Sequence, residues 1–236
     1  MKLTIVLICY DFDRESYETI CKIPLNVSVL IKCVSCSDEM REACKDFPHF
    51  TIYAKPDAGI YDAFNQALSE VRTEYVLYIG TNDIINLEEL NRLQHSFERQ
   101  YDIYVYGVLL DNRVSNIEKF GNILFYHHQG TVMRTDLYSA CGGFTNYEIH
   151  ADLAVLNRIA RTYRDELAIL EHPGLYLVRY DLGGVSNSGK NFRKSLFEII
   201  NIFREFESGI WRLGHFKALA RPIYYKLRSL YGKHIR

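Results

Sequence analysis

The sequence predicts an α/β fold, a mixed and mostly parallel sheet flanked by helices and followed by a C-terminal amphipathic helical appendage. Two adjacent stretches carry that prediction. Tyr75-Val76-Leu77-Tyr78-Ile79 is a continuous apolar run, as expected of a strand covered on both faces. Just before it, Ile60, Ala63, Phe64, Ala67, Leu68 and Val71 fall at the i, i+3, i+4, i+7 spacing of a helix packed on a core. A length of 236 residues accommodates one well-buried domain with a small addition.

Taken in order, residues 3–9 form the first strand, and Tyr10 and Asp11 open the loop at its carboxyl end. Residues 14–23 suit a helix, and residues 27–34, rich in β-branched side chains, suit a second strand. Ser37 or Asp38 is placed to cap a short helix that follows. Residues 50–54 make a third strand, and Pro56-Asp57-Ala58-Gly59 is turn chemistry, with proline fixing φ and glycine free to take positive φ. On the helix beyond, Asp62 and Asn65 lie off the apolar stripe and three apart, so both can face one ligand. The buried strand ends in Gly80-Thr81-Asn82-Asp83. Open α/β sheets bind ligands beyond the carboxyl ends of their strands, where Asp83 is delivered. Asp57 and Asp83 each have a plain alternative as helix caps, Asp83 for a helix over residues 86–101.

Strands over residues 102–110 and 122–126, joined by a polar connection, come next. His127-His128-Gln129-Gly130 leads into a short strand, a helix over residues 135–141, and Gly142-Gly143-Phe144. His150-Ala151-Asp152 then opens a helix running through Val155, Ile159 and Tyr163. Residues 166–170 and 174–180 suit a late hairpin or edge strands. Gly183-Gly184-Val185-Ser186 suits a loop, with no strand–GxGxxG–helix unit around it to make a dinucleotide fingerprint. From Ser195 two amphipathic helices fit, separated near Ser208-Gly209 and broken at Pro222.

Composition narrows the function. The formal net charge of −1 gives no reason to expect a nucleic-acid partner. Residues 190–236 nevertheless hold 11 basic and 3 acidic residues, against 17 and 26 before them. That asymmetry, interleaved with Tyr224, Tyr225 and Tyr231, suits an anionic membrane surface. The alternatives are that the helices fold back on the domain or form a homodimer contact. The six cysteines show no disulfide framework, which favours a reducing, cytoplasmic setting. Cys33-x-x-Cys36 lacks the second ligand pair of a zinc site and reads as structural. The apolar opening is too short for a signal peptide, and no run of 18 apolar residues is present to span a bilayer.

Lys55 to Asp83 resembles the nucleotide-sugar-binding half of inverting family 2 glycosyltransferases, whose members commonly read P-D-x-G-I-Y-D-A-x-N before a strand ending in two acidic residues. His128-Gln129, Gly142-Gly143-Phe144 and Ala151-Asp152 resemble the acceptor-side block of the same family. The resemblance implies a GT-A fold over residues 1–188, with residues 189–236 as a basic tail. It also implies donor contacts from Tyr10, Asp11, Asp38, Asp57, Gly59, Asp62, Asn65 and Asn82. Asp83 would be the metal ligand for Mg²⁺ or Mn²⁺, whose Lewis acidity offsets charge on a departing diphosphate. Asp152 would be the general base that deprotonates an acceptor hydroxyl. His128, Gln129 and His150 would position acceptor or donor, with His150 the alternative base. The acceptor implied is a glycan or lipid-linked glycan at the inner face of a bacterial membrane, in surface polysaccharide synthesis.

Two departures stand out. Cys33 occupies the place of a base-binding aspartate, and Asn82 that of the second acidic residue at the strand's end. They keep open a non-catalytic nucleotide-sugar-binding or assembly protein. A nucleotidyltransferase is the other alternative, and the lack of a Gly-rich basic loop after the first strand weighs against it.

Overall fold

A computed structural model describes residues 1–110, 112–115, 118–120, 123–180, 191–206 and 223. The first half alternates strand and helix: β1 (Leu3–Ile8), β2 (Asp11–Phe12), α1 (Arg14–Ile20), β3 (Ser28–Cys33), β4 (Ser35–Cys36), α2 (Asp38–Ala43), β5 (Phe50–Ala54), α3 (Ile60–Glu70), β6 (Tyr75–Gly80), β7 (Ile84–Ile85) and α4 (Leu87–Ser96). The second half contains β8 (Ile103–Leu110), β9 (Arg113–Ser115), β10 (Glu118–Phe120), β11 (Ile123–Phe125), β12 (Thr131–Arg134), α5 (Thr135–Ala140), α6 (Ala151–Tyr163), β13 (Ile169–Arg179) and α7 (Phe192–Phe206).

The main sheet runs in the order β5-β3-β1-β6-β12-β8-β13-β7, with β9 paired to β8. Strands β5, β3, β1 and β6 are parallel, as are β8 and β13, while β12 is antiparallel to both β6 and β8. The mixed, mostly parallel sheet with helices on both faces is the predicted α/β architecture.

The two faces follow from strand periodicity. Ile5, Leu7, Ile31, Leu77 and Tyr104 point to one side, where α1, α2 and α4 bury Ile20, Met40 and Leu90. Val6, Leu30, Val76, Tyr78 and Val105 point to the other, where α3, α5 and α6 bury Phe64, Tyr138 and Val155. Along α3 the predicted stripe is largely inside, with Ala63, Phe64, Ala67 and Val71 buried. Ile60, in the first turn, stands 38% exposed.

The structure corrects several boundaries. The helix expected over residues 86–101 is α4, capped by Asn86 and ending at Ser96, so Asp83 does not cap it. The polar connection expected after residue 110 holds β9 and β10. Of the hairpin or edge strands expected over residues 166–180, the hairpin does not form. Instead β13 is one strand parallel to β8, with its register broken between His172 and Tyr176. Pro173 offers no N–H to a ladder, so the chain bulges there, and β8 supplies partners on both sides of the bulge.

The first helix of the tail packs on the domain. Ile199, Ile202 and Phe203 of α7 join Leu153 and Ala154 of α6 and Ile123 and Phe125 of β11 in a third apolar cluster. The loop over residues 183–186 and the tail beyond residue 206, save residue 223, lie outside the described residues. None of the described helices is long and apolar enough to cross a membrane.

Candidate active site

The site is built where β12 begins beside the end of β6. Because the two strands are antiparallel, the residues leading into β12 reach the sheet edge from which Asp83 follows β6. His128, in the 3-10 turn that precedes β12, donates through Nδ1 to the Asp152 carboxylate Oδ2 at 2.9 Å. Tyr61, in the first turn of α3, donates its hydroxyl to Asp152 Oδ1 at 2.8 Å and to the Ile149 carbonyl at 2.7 Å. Three segments far apart in sequence thus converge on one carboxylate. The His128 and Asp152 side chains are 20% and 21% exposed, so the pair is half-buried yet reachable.

Electrostatics keep this carboxylate ionised. Burial alone pushes the Asp152 carboxyl up, but the hydrogen bond and charge of His128, the charge of His150 and the bond from Tyr61 more than offset it. The group is held well below the usual carboxylate range. Burial and the neighbouring Asp152 charge push the Tyr61 phenol well above its ordinary value, so it remains a donor. An ionised, partly exposed carboxylate with two fixed donors can accept a proton from a hydroxyl placed against it.

His150 has a different role. Its Nε2 meets Ser195 Oγ at 2.7 Å, and burial holds its ring below the ordinary pKa. That contact ties the ring to α7. Gln129 is 7% exposed in the turn beside His128.

The residues expected around the donor divide into groups. Tyr10 is 77% exposed beyond β1, and Asp11 accepts a bond from the Ser35 hydroxyl where β2 pairs with β4. Asp11 lines a groove of about 370 Å³ with Arg14, Ser35, Ser37 and Glu39. Asp38 does not line it, and Ser37 caps α2 by accepting from Met40 N–H at 3.2 Å.

Asp57 forms a 2.7 Å ion pair with Lys32, whose side chain is fully buried and also donates to the Lys55 carbonyl. Asp57 also accepts from Gly59 N–H at 3.2 Å, and Gly59 begins α3 at φ 134°, a value that suits glycine. Asp62 turns back to accept from Ala58 N–H at 2.8 Å and from Gln66.

Asn65 clasps the Phe144 backbone, donating to its carbonyl at 2.8 Å and accepting from its N–H at 2.9 Å. Asp62 and Asn65 are thus each engaged by a different stretch of backbone. The clasp also explains Gly143. At φ 66° it sits so near Asn65 that a Cβ would come within 2.5 Å of Oδ1.

Asp83 is 2% exposed, and its Oδ2 accepts from Gly80 N–H at 2.8 Å. Asn82, at φ 70°, lines an open cavity of about 770 Å³ with Glu15, Lys22, Leu109 and Arg179. The oxygen-only pair of Asp83 and Asn82 suits hard Mg²⁺ or Mn²⁺. Among the described residues no three His, Cys, Asp or Glu converge to hold a metal.

The sequence model of glycosyl transferase family 2 matches residues 17–155, more than half of the chain. The chain belongs to that family. Among solved structures, this glycosyltransferase is similar to residues 1–349 of S. aureus TarS in complex with UDP-GlcNAc. That likeness has a TM-score of 0.64 at 14% identity and covers 97% of this chain and 74% of that one. A mannosyltransferase from Pyrobaculum calidifontis in complex with GDP-Man and Mn²⁺ matches at TM-score 0.61 and 12% identity, covering 95% and 69%. At such identities the likeness speaks for the GT-A fold. No curated protein sequence matches the chain.

Sequence reasoning missed Tyr61, Lys32 and Glu198. Tyr61 was legible as the tyrosine of G-I-Y-D, a polar-tipped residue off the apolar stripe. Lys32, within an apolar strand, carried a signal in its charge. Nothing local marked Glu198.

Proposed function

We propose that this family 2 glycosyltransferase, a hexosyltransferase, transfers one sugar from a nucleotide-sugar to a hydroxyl acceptor with inversion. The observation that carries this reading is the Asp152 carboxylate, held ionised by His128 and Tyr61. Asp152 takes the acceptor proton as the hydroxyl oxygen attacks the anomeric carbon opposite the leaving diphosphate. His128 and Tyr61 fix the carboxylate's orientation, so that the oxygen lone pairs they leave open face the acceptor. Asp83 would hold a Mg²⁺ or Mn²⁺ ion, with Asn82 adding a neutral carbonyl oxygen. Such an ion, when bound, offsets the charge that develops on the leaving diphosphate. The neighbours' complexes with UDP-GlcNAc and with GDP-Man and Mn²⁺ support a nucleotide-sugar donor and a divalent cation.

Tyr10, Asp11 and the groove that Asp11 lines would receive the nucleotide. A glycan or lipid-linked glycan acceptor, and a place in bacterial surface polysaccharide synthesis, rest on family analogy. Contact with an anionic membrane would fall to the basic residues beyond position 206, because α7 already uses its apolar face on the domain. The division into residues 1–188 and a tail of residues 189–236 is part of the same reading, with α7 docked on the domain.

A second reading is favoured by one contact. The bond through Nδ1 leaves His128 Nε2 as the outward nitrogen, so His128 could take the proton while Asp152 fixes its tautomer. Nucleoside diphosphate release from a panel of UDP-, GDP- and dTDP-sugars with Mn²⁺ tests the function. Asp152→Asn should lower turnover by about 10²–10⁴-fold with donor affinity retained. Full activity of that variant would refute both readings.

A further inference from the structure

The N-terminus of α6 has no side-chain cap of its own. His150, at the cap position, makes no such bond. Instead α7 holds the backbone that leads into the helix. Glu198, 6% exposed, accepts Glu148 N–H at 3.0 Å through Oε1, and Ile149 N–H at 2.9 Å and His150 N–H at 3.0 Å through Oε2. One turn earlier on α7, Ser195 is 3% exposed and holds the His150 ring at 2.7 Å. Lys194 pairs with Glu148 at the surface. The backbone gripped by Glu198 is the segment whose Ile149 carbonyl receives the Tyr61 hydroxyl, two residues before Asp152 is reached.

A carboxylate bonded to three consecutive N–H groups is a strong and directional clamp, and its charge complements the positive end of the helix. We propose that Glu198 is a positioning residue for the reaction. From α7 it sets the first turn of α6, so that Asp152 meets His128 and Tyr61 squarely. The catalytic unit therefore extends beyond residue 188 to include α7. The inference rests on the assignment of Asp152 to the chemistry under "Proposed function", and it concerns a residue that touches no substrate.

The test compares Glu198→Ala and Glu198→Gln with Ile202→Ala, which removes an apolar contact of α7 without touching the clamp. The first readout needs no substrate. The Nδ1–H proton of His128, bonded to a carboxylate, should resonate downfield in proton NMR, and His128→Ala assigns it. That resonance should move upfield or vanish in both Glu198 variants and persist in Ile202→Ala. In the donor-panel assay, kcat should fall by about ten- to a hundred-fold for Glu198→Ala. The loss should be smaller for Glu198→Gln, which keeps the shape but has one acceptor oxygen, and the donor KM should stay unchanged.

If Glu198→Ala does not fold, Glu198→Gln alone decides. A folded Glu198→Gln protein that retains both the resonance and wild-type kcat overturns the proposal. If Asp152→Asn abolishes turnover while the Glu198 variants behave as wild type, only the positioning role falls. If Asp152→Asn remains fully active, the assignment of Asp152 falls with it.

Discussion

At the scale of single residues, Asp152 shows how neighbours reverse the effect of burial. Desolvation pushes its pKa up, and His128 is the largest influence in the other direction. His128→Ala should therefore let the carboxyl rise, moving the acid limb of the pH–rate profile to higher pH while neutral turnover falls only in part. Loss of activity at every pH would instead make His128 itself the proton acceptor. The residue types at this site were readable from sequence because Asp152 and His128 lie in spaced motifs. Their partnership was not, since the 2.9 Å bond joins positions 24 apart through the packing of α6 against the turn before β12. Asp62 and Asn65 share a side of α3, yet each bonds a different stretch of backbone. Spacing on a helix gives direction, but the backbone that comes to meet it is a tertiary matter.

At the scale of elements, α3 joins the two halves of the molecule. Its apolar stripe packs Phe64 against Tyr78 with ring centroids 4.7 Å apart, while Tyr61 and Asn65 reach toward α6 and the turn before it. Asn65→Ala would leave both backbone groups of buried Phe144 without their partner. The expected cost is about 2–4 kcal/mol, measured by chemical denaturation. The same variant should weaken turnover more than donor binding, because the loosened turn leads into the residues that carry Asp152. The helix itself was legible from periodicity, and so was the strand after it. For β13 the hairpin alternative fails because β8 is a continuous partner on both sides of Pro173-Gly174, which converts a potential turn into a bulge.

At the scale of the whole molecule, α7 belongs to the packed structure. Ile202 is fully buried between α6 and β11, so Ile202→Ala should cost about 2–5 kcal/mol of stability in thermal or urea unfolding. Turnover by the folded fraction should stay at the wild-type level, since the Glu198 clamp is intact. The sequence by itself determined the alternation of strand and helix, the two-sided core and the identity of the chemical groups at the strand ends. It could do so because hydrophobic periodicity and turn residues act over a few neighbours. Only the tertiary structure decided which of those groups meet. Asp57 went to Lys32, Asn65 to Phe144, His150 to Ser195, and Asp152 to His128 and Tyr61. Buried polar groups take whatever partner the packed chain brings within hydrogen-bond reach, and no local pattern in the sequence encodes that encounter.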